Sequence, residues 1–221
     1  RALMNFSKEI AKISLDTGAI RLEPDKPFLW ASGYLMPVYN DNRLLLSSAK
    51  YRQTINDGFQ EIITQKKISI DVVAGTATAG IPAATSLSNT LETPLIYVRP
   101  SSKTHGMQNK IEGLLHPNQK VVVIEDLIST GGSAIKAVTA IREAGGQVEN
   151  CLSIFSYGFL KATKQFKNLQ CQLHHLLNFE ELITIARENN KLSDNQFSML
   201  KSWYDDPFNW GSKNGFTNKT Y

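Results

Sequence analysis

The sequence predicts an α/β fold, with a mainly parallel central sheet flanked by helices and a small N-terminal hood. Three observations carry this. Short apolar runs bounded by turn residues alternate with segments of helical spacing, the pattern of a sheet covered on both faces. The run Val121-Val122-Val123-Ile124 has the composition of a parallel strand buried on both sides. Two such runs pass through glycine-containing turns into helices, the connection from which open α/β sheets build ligand sites.

Taken in order, Phe6, Ile10, Ile13 and Leu15 mark a first amphipathic helix stopped at Gly18. Ala19 to Leu22 and Phe28 to Ala31 read as short strands around the turn Pro24-Asp25-Lys26-Pro27, and Tyr34 to Tyr39 as one edge strand containing Pro37. This piece is too small to be a domain of its own, so residues 1–45 are expected to fold as a hood over the main sheet. Residues 46–221 then form the core and C-terminal helices of the same single domain. Tyr51, Ile55, Phe59 and Ile62 give a long helix from Ser47. Strand Ile70–Ala74, helix Ile81–Leu91 and strand Leu95–Arg99 follow, then a polar, mobile connection over 100–110 and a strand Ile111–Leu115. After the valine-rich strand, Ile135, Val138 and Ile141 define a helix closed by Gly145-Gly146. Val148–Tyr157 is a strand, Phe159–Phe166 a helix and Leu173–Leu177 a strand. Phe179–Tyr204 is helical with a break near Ser193-Asp194, and the tail after Pro207 is expected to pack along the surface or fray.

Composition bounds the function. With 221 residues and 42% hydrophobic content the chain can bury a continuous core, and no apolar run approaches membrane-spanning length. No membrane partner is expected. The N-terminus lacks a signal-peptide pattern, and Cys151 and Cys171 read as buried thiols of a cytoplasmic protein. A net charge of +4 suits polyanionic small substrates and equally an ordinary solvated surface. The hood offers no helix-turn-helix or dense basic helix, so no nucleic-acid partner is expected.

The chemistry concentrates where the valine strand ends. Glu125-Asp126-Leu127-Ile128 leads into Ser129-Thr130-Gly131-Gly132-Ser133 and a helix, so the turn's N–H groups face an anion while glycine lets it approach. The carboxylates sit where a sugar on that phosphate would present hydroxyls, and they could accept those bonds or hold hydrated Mg²⁺. No Gly-Lys-Ser/Thr follows the glycines, which excludes a Walker-type loop. A second turn, Ala74 to Pro82, offers Thr76, Ala77 and Thr78 to another anion, so a substrate with phosphate at one end and diphosphate at the other fits.

The acidic-pair turn resembles the phosphoribosyl-diphosphate signature of type I phosphoribosyltransferases. Three further stretches are similar to the orotate phosphoribosyltransferases. They are Phe28-Leu29-Trp30-Ala31-Ser32-Gly33, the run from Pro37 to Arg43, and Arg99 to Gly106 with Ile111-Glu112-Gly113 behind it. The resemblance covers residues 1 to about 160. It implies that Glu125 and Asp126 hold ribose hydroxyls, that Ser129 to Ser133 wrap the 5-phosphate with Leu127 and Ile128 in the same phosphoribosyl-diphosphate site, and that Thr76 and Ala77 belong to the diphosphate loop. It also implies Lys103 as the main catalytic cation, with Arg99 and His105 on diphosphate and Asp126 and His105 in the catalytic set. Ser32, Gly33 and Ser129 are the implied orotate contacts, and Tyr157 is a candidate for a further one or a packed strand tyrosine. Mg²⁺ is the implied cofactor, held by substrate and water near Glu125 and Asp126. The implied assembly is a homodimer whose loop closes over the neighbour's cleft. The chain departs from better-known relatives at Ala79, Ala31 and Pro100, where lysine is usual, and near Ser156-Tyr157, where arginine is. The alternatives are transfer to another base and a non-catalytic regulator built on this fold.

Overall fold

A computed structural model describes residues 6–30, 33–101 and 110–216. Helix α1 (Phe6–Thr17) turns Ile10 and Ile13 inward and ends at Gly18, which takes a positive φ of 74°. β1 (Ile20–Leu22), β2 (Phe28–Leu29), β3 (Leu35–Met36) and β4 (Val38–Asn40) make two small antiparallel pairs, β1 with β4 and β2 with β3. The single strand expected over Tyr34–Tyr39 is therefore two strands in two sheets. Pro37 lies between them, where its missing N–H costs no ladder bond.

A 3-10 helix (Asn42–Ser47) and α2 (Ala49–Lys66) lead into the main sheet. Its strands are β5 (Val72–Thr76), β6 (Leu95–Val98), β7 (Ile111–Glu112), β8 (Lys120–Ile128), β9 (Gln147–Ser156) and β10 (Gln172–Asn178), in the order β10-β9-β8-β5-β6-β7. All neighbours pair in parallel except β7, which returns antiparallel along β6. β7 is shorter than expected because Gly113, at φ 105°, bends the chain away. The connecting helices are α3 (Ile81–Leu91), α4 (Gly132–Glu143) and α5 (Leu160–Asn168). They are followed by α6 (Phe179–Glu188), α7 (Asp194–Asp205) and the short α8 (Trp210–Lys213). The break between α6 and α7 falls where expected, and the Ser193 side chain starts α7 by capping the Gln196 N–H.

The two sheet faces bury separate cores. Phe59, Leu87, Ile124, Leu152 and Phe179 belong to one, and Val123, Val138, Ile141 and Phe166 to the other. The segment expected as a hood divides in two. Its helix α1 packs on α6 and β10, at the far edge of the sheet, while β1–β4 form the smaller cap. After Pro207 the chain packs back onto the fold: Trp210 is buried, and Gly211 lies against the Leu35 carbonyl so closely that an added Cβ would sit 3.2 Å from it. Among the described residues no helix is long and apolar enough to cross a membrane.

Candidate functional site

β5 and β8 are neighbours at the centre of the sheet, so the turns after their carboxyl ends lie side by side. The β5 turn also packs tightly on β8 itself. At Gly80, the last residue of the β5 turn, an added Cβ would stand 2.5 Å from the Ile124 carbonyl oxygen and 2.9 Å from the Thr76 nitrogen. A side chain there would push the β5 turn off the ends of β5 and β8. The Ala77–Thr78 peptide bond in this turn is cis.

β8 runs further than its valines suggest. It continues through Ile128 because β9 extends beside it, pairing Leu127 with Phe155 and Ile128 with Ser156. The acidic pair is thus held in a strand rather than in a loop. Glu125 is 5% exposed and Asp126 is half-buried. The Glu125 carboxylate accepts from the Asp126 N–H at 3.0 Å and lies against the Thr76 hydroxyl, which donates to the Ile124 carbonyl at 3.2 Å. Burial, then the hydrogen bond shared with the Asp126 carboxylate, pushes the Glu125 carboxyl up to about 8. Asp126 lines a cavity together with Asn42, Arg43, Asn56, Pro82 and Ser86.

The turn after the acids divides its tasks between its glycines. Gly131 has φ 85° and is buried, with an added Cβ 3.2 Å from Phe166 and 3.4 Å from Ile135. It is needed for the backbone conformation and for packing. Gly132, the first residue of α4, has nothing within 4 Å of its missing Cβ, so open approach to the backbone is there. Neither α4 nor α3 has a side-chain cap at its N-terminus, whereas α6 and α7 carry capping boxes. The leading N–H groups of α4 are open to an incoming anion, whereas at α3 the Ile81 N–H donates to the Thr78 carbonyl at 3.2 Å and Pro82 has no N–H to offer. Ser129 and Thr130 are half-buried beside them and Ser133 is exposed.

Other expected residues divide as follows. Arg99 is pinned at the foot of the 100–110 connection, its N–H donating to the Lys110 carbonyl at 2.8 Å and its guanidinium 3.6 Å from Glu112. Gly33 is exposed at the tip of the β2–β3 hairpin. Lys103, His105 and Ser32 lie outside the described residues. Tyr157, expected as an orotate contact, is 2% exposed inside an aromatic cluster, with Phe155 at 5.1 Å, Phe159 at 5.2 Å and Trp203 at 5.9 Å. It is a packing residue, because the closing helix α7 brings Trp203 over the end of β9. Its position in a strand reaching the sheet edge does not distinguish the two roles in sequence. The adjacent His174 and His175 of β10 bond Asn150 and Asn178 respectively.

Asn42 was missed. It is 4% exposed and its Nδ2 donates to the Asp126 carbonyl at 2.8 Å, tying the N-terminal segment to the acidic pair. The available signal was a single amide between two charged residues at the start of an apolar Leu-Leu-Leu helix.

A phosphoribosyl transferase domain is recognised over residues 45–170. The orotate phosphoribosyltransferase of Staphylococcus saprophyticus is 50% identical over 200 residues, covering 90% of this chain and 98% of that one. The enzyme of the same name from Cytophaga hutchinsonii is 46% identical, covering 94% and 99%. The crystal structure of orotate phosphoribosyltransferase from Aeropyrum pernix superposes with a TM-score of 0.72 at 29% identity, covering 83% of this chain and 99% of that one.

Proposed function

Since the chain belongs to the orotate phosphoribosyltransferase family, we propose that the carboxyl edge of its sheet is where phosphoribose passes from phosphoribosyl diphosphate to orotate. The observation that carries this assignment of the site is the open N-terminus of α4 directly after a strand-held pair of carboxylates, with the β5 turn on the neighbouring strand. The reaction breaks the bond from ribose C1 to diphosphate and forms one from C1 to a ring nitrogen of orotate, giving orotidine 5-monophosphate.

The α4 turn, Ser129 to Ser133, holds the 5-phosphate through its N–H groups and hydroxyls. The β5 turn with Thr76 and Ala77 receives the diphosphate. Asp126 and Glu125 accept the ribose hydroxyls, fixing C1 between leaving group and base. Lys103, with Arg99 and His105, neutralises charge growing on the departing diphosphate, and Ser32, Gly33 and Ser129 serve the orotate side. Arg99 begins this role paired with Glu112, so it must exchange that partner for phosphate oxygen.

Mg²⁺ is part of the proposal. No group of three or more His, Cys, Asp or Glu converges among the described residues, whereas two carboxylates do. That donor set fits a hard cation that takes most of its oxygens from phosphates and water. When bound, it supplies electrostatic stabilisation of the leaving diphosphate. A homodimer with the 100–110 loop acting in trans completes the reading, supported by Leu44 and Leu46, apolar side chains exposed next to the site. Cys151 and Cys171, both buried and unpaired, support a cytoplasmic setting.

The test is orotate absorbance followed with phosphoribosyl diphosphate and Mg²⁺, with adenine, hypoxanthine and uracil as competing acceptors. Loss of orotate signal with no product from the other bases is expected. Turnover of another base in place of orotate would overturn the assignment.

A further inference from the structure

We infer that Asn42 is a positioning residue for Asp126, fixing where the ribose-binding carboxylate points without itself touching substrate. This rests on the proposed reading of the site.

The ladder geometry creates the need. β5 pairs with β8 as far as Gly75 opposite Ile124 and ends at Thr76, so the Asp126 carbonyl lies beyond that ladder. Left without a partner on this side, the peptide after Asp126 would be held only through the β9 ladder, and the strand end that carries the Asp126 side chain would be freer to shift. The Asn42 amide fills the gap from outside the sheet, donating at 2.8 Å across a sequence separation of 84 residues.

Asn42 is itself held firmly. Asp41 before it is anchored by its N–H on the Ala19 carbonyl at 2.7 Å. The Asp41 carboxylate accepts from the Arg43 N–H at 3.2 Å and forks with the Arg43 guanidinium at 2.6 and 3.0 Å. Arg43 in turn lies close enough to Asp126 for the two charges to attract. The N-terminal segment thus reaches the acid by a neutral donor on its backbone and a cation near its side chain.

Stability alone does not explain the residue. The Asn42 amide oxygen is buried and finds no partner among the described residues, which costs folding free energy. An apolar side chain would remove that cost but leave the Asp126 carbonyl without its donor. What asparagine adds is the donor, and the donor goes to Asp126.

Asn56 offers a matched control. It lines the same cavity, is 4% exposed, and its oxygen is also without a partner among the described residues, but its Nδ2 donates to Thr90 at 2.9 Å. The experiment is a double-mutant cycle read by calorimetric binding of phosphoribosyl diphosphate with Mg²⁺. Asn42→Ala and Asn56→Ala are each made in the wild-type and the Asp126→Asn background, with thermal melts of every variant. Asn42→Ala should weaken binding roughly 5- to 10-fold in the wild type and less than about 2-fold beside Asp126→Asn. Asn56→Ala should lower the melting temperature comparably, with the same effect on binding in both backgrounds. If Asn42→Ala does not fold, Asn42→Ser takes its place in the same cycle. Additive losses for Asn42, or equal coupling for both asparagines, would overturn the inference. Because binding is read without orotate, a wrong acceptor assignment would leave this result interpretable.

Discussion

Glu125 carries a proton that the site must surrender. In the free protein, burial and the neighbouring Asp126 carboxylate raise its carboxyl from 4.5 to about 8, so it is largely protonated at neutral pH. Since the folded value lies above the unfolded one, its contribution to stability is fully present below pH 4.5. That contribution is lost as pH rises through about 8. Ribose hydroxyls and a nearby cation favour the ionised form, so binding phosphoribosyl diphosphate at pH 7 should release a proton. Calorimetry in buffers of different ionisation enthalpy reads this directly, and a heat independent of buffer would contradict it. Glu125→Gln removes the penalty: it should stabilise the free protein at pH 8 by about 0.5–2 kcal/mol in urea while weakening substrate binding. The two acids were legible as a pair at a strand end. Their different burial was not, because it depends on β9 running alongside and on Thr76 from β5, neither of which local sequence specifies. Tyr157 shows the same limit: what decides its role is Trp203, 46 positions along the chain and 5.9 Å away.

At the scale of elements, the α4 turn makes a prediction that separates fold from binding. Gly131→Val forces a β-branched residue into φ 85° against Phe166 and should destabilise the protein by about 1–3 kcal/mol. Gly132→Val enters open space at a helix start and should leave stability within about 0.5 kcal/mol while weakening ribose 5-phosphate binding at least several-fold. Paired denaturation and binding measurements distinguish them, and normal binding by folded Gly132→Val would show that phosphate approaches elsewhere. The strands and helices of the core were readable because their apolar periods match their environments on both faces. Where reading failed, the backbone had a local reason: Pro37 divides one expected strand into two pairings, and Gly113 cuts another short. The division of labour between the glycines needed neighbours, since Phe166 and Ile135 are what crowd one and spare the other.

For the whole molecule, the proposed trans arrangement implies that each site draws on two chains. Lys103→Ala and Asp126→Asn should each be folded and nearly inactive. Mixed so that subunits exchange, they should regain about one working site per heterodimer, the intact loop of one chain serving the intact cleft of the other. No recovery of orotate turnover, with heterodimers verified by native mass spectrometry, would show that the loop serves its own chain. Domain organisation was partly legible. The N-terminal segment reads as a single hood because its strands are short and its turn residues dense, yet α1 belongs to the main core through Ile10 and Ile13. Those contacts are made with α6 and β10, late in the sequence, and only the folded chain brings them together.

The central claim is that the strand-held acids bind the ribose of phosphoribosyl diphosphate. It is tested most directly by titrating that compound with Mg²⁺ into wild type and Asp126→Asn in a calorimeter, with melting curves of both. The account predicts an unchanged fold and an affinity loss of about 1.5–3 kcal/mol, the worth of a hydrogen bond to a charged acceptor. Equal affinity in a folded Asp126→Asn would contradict it.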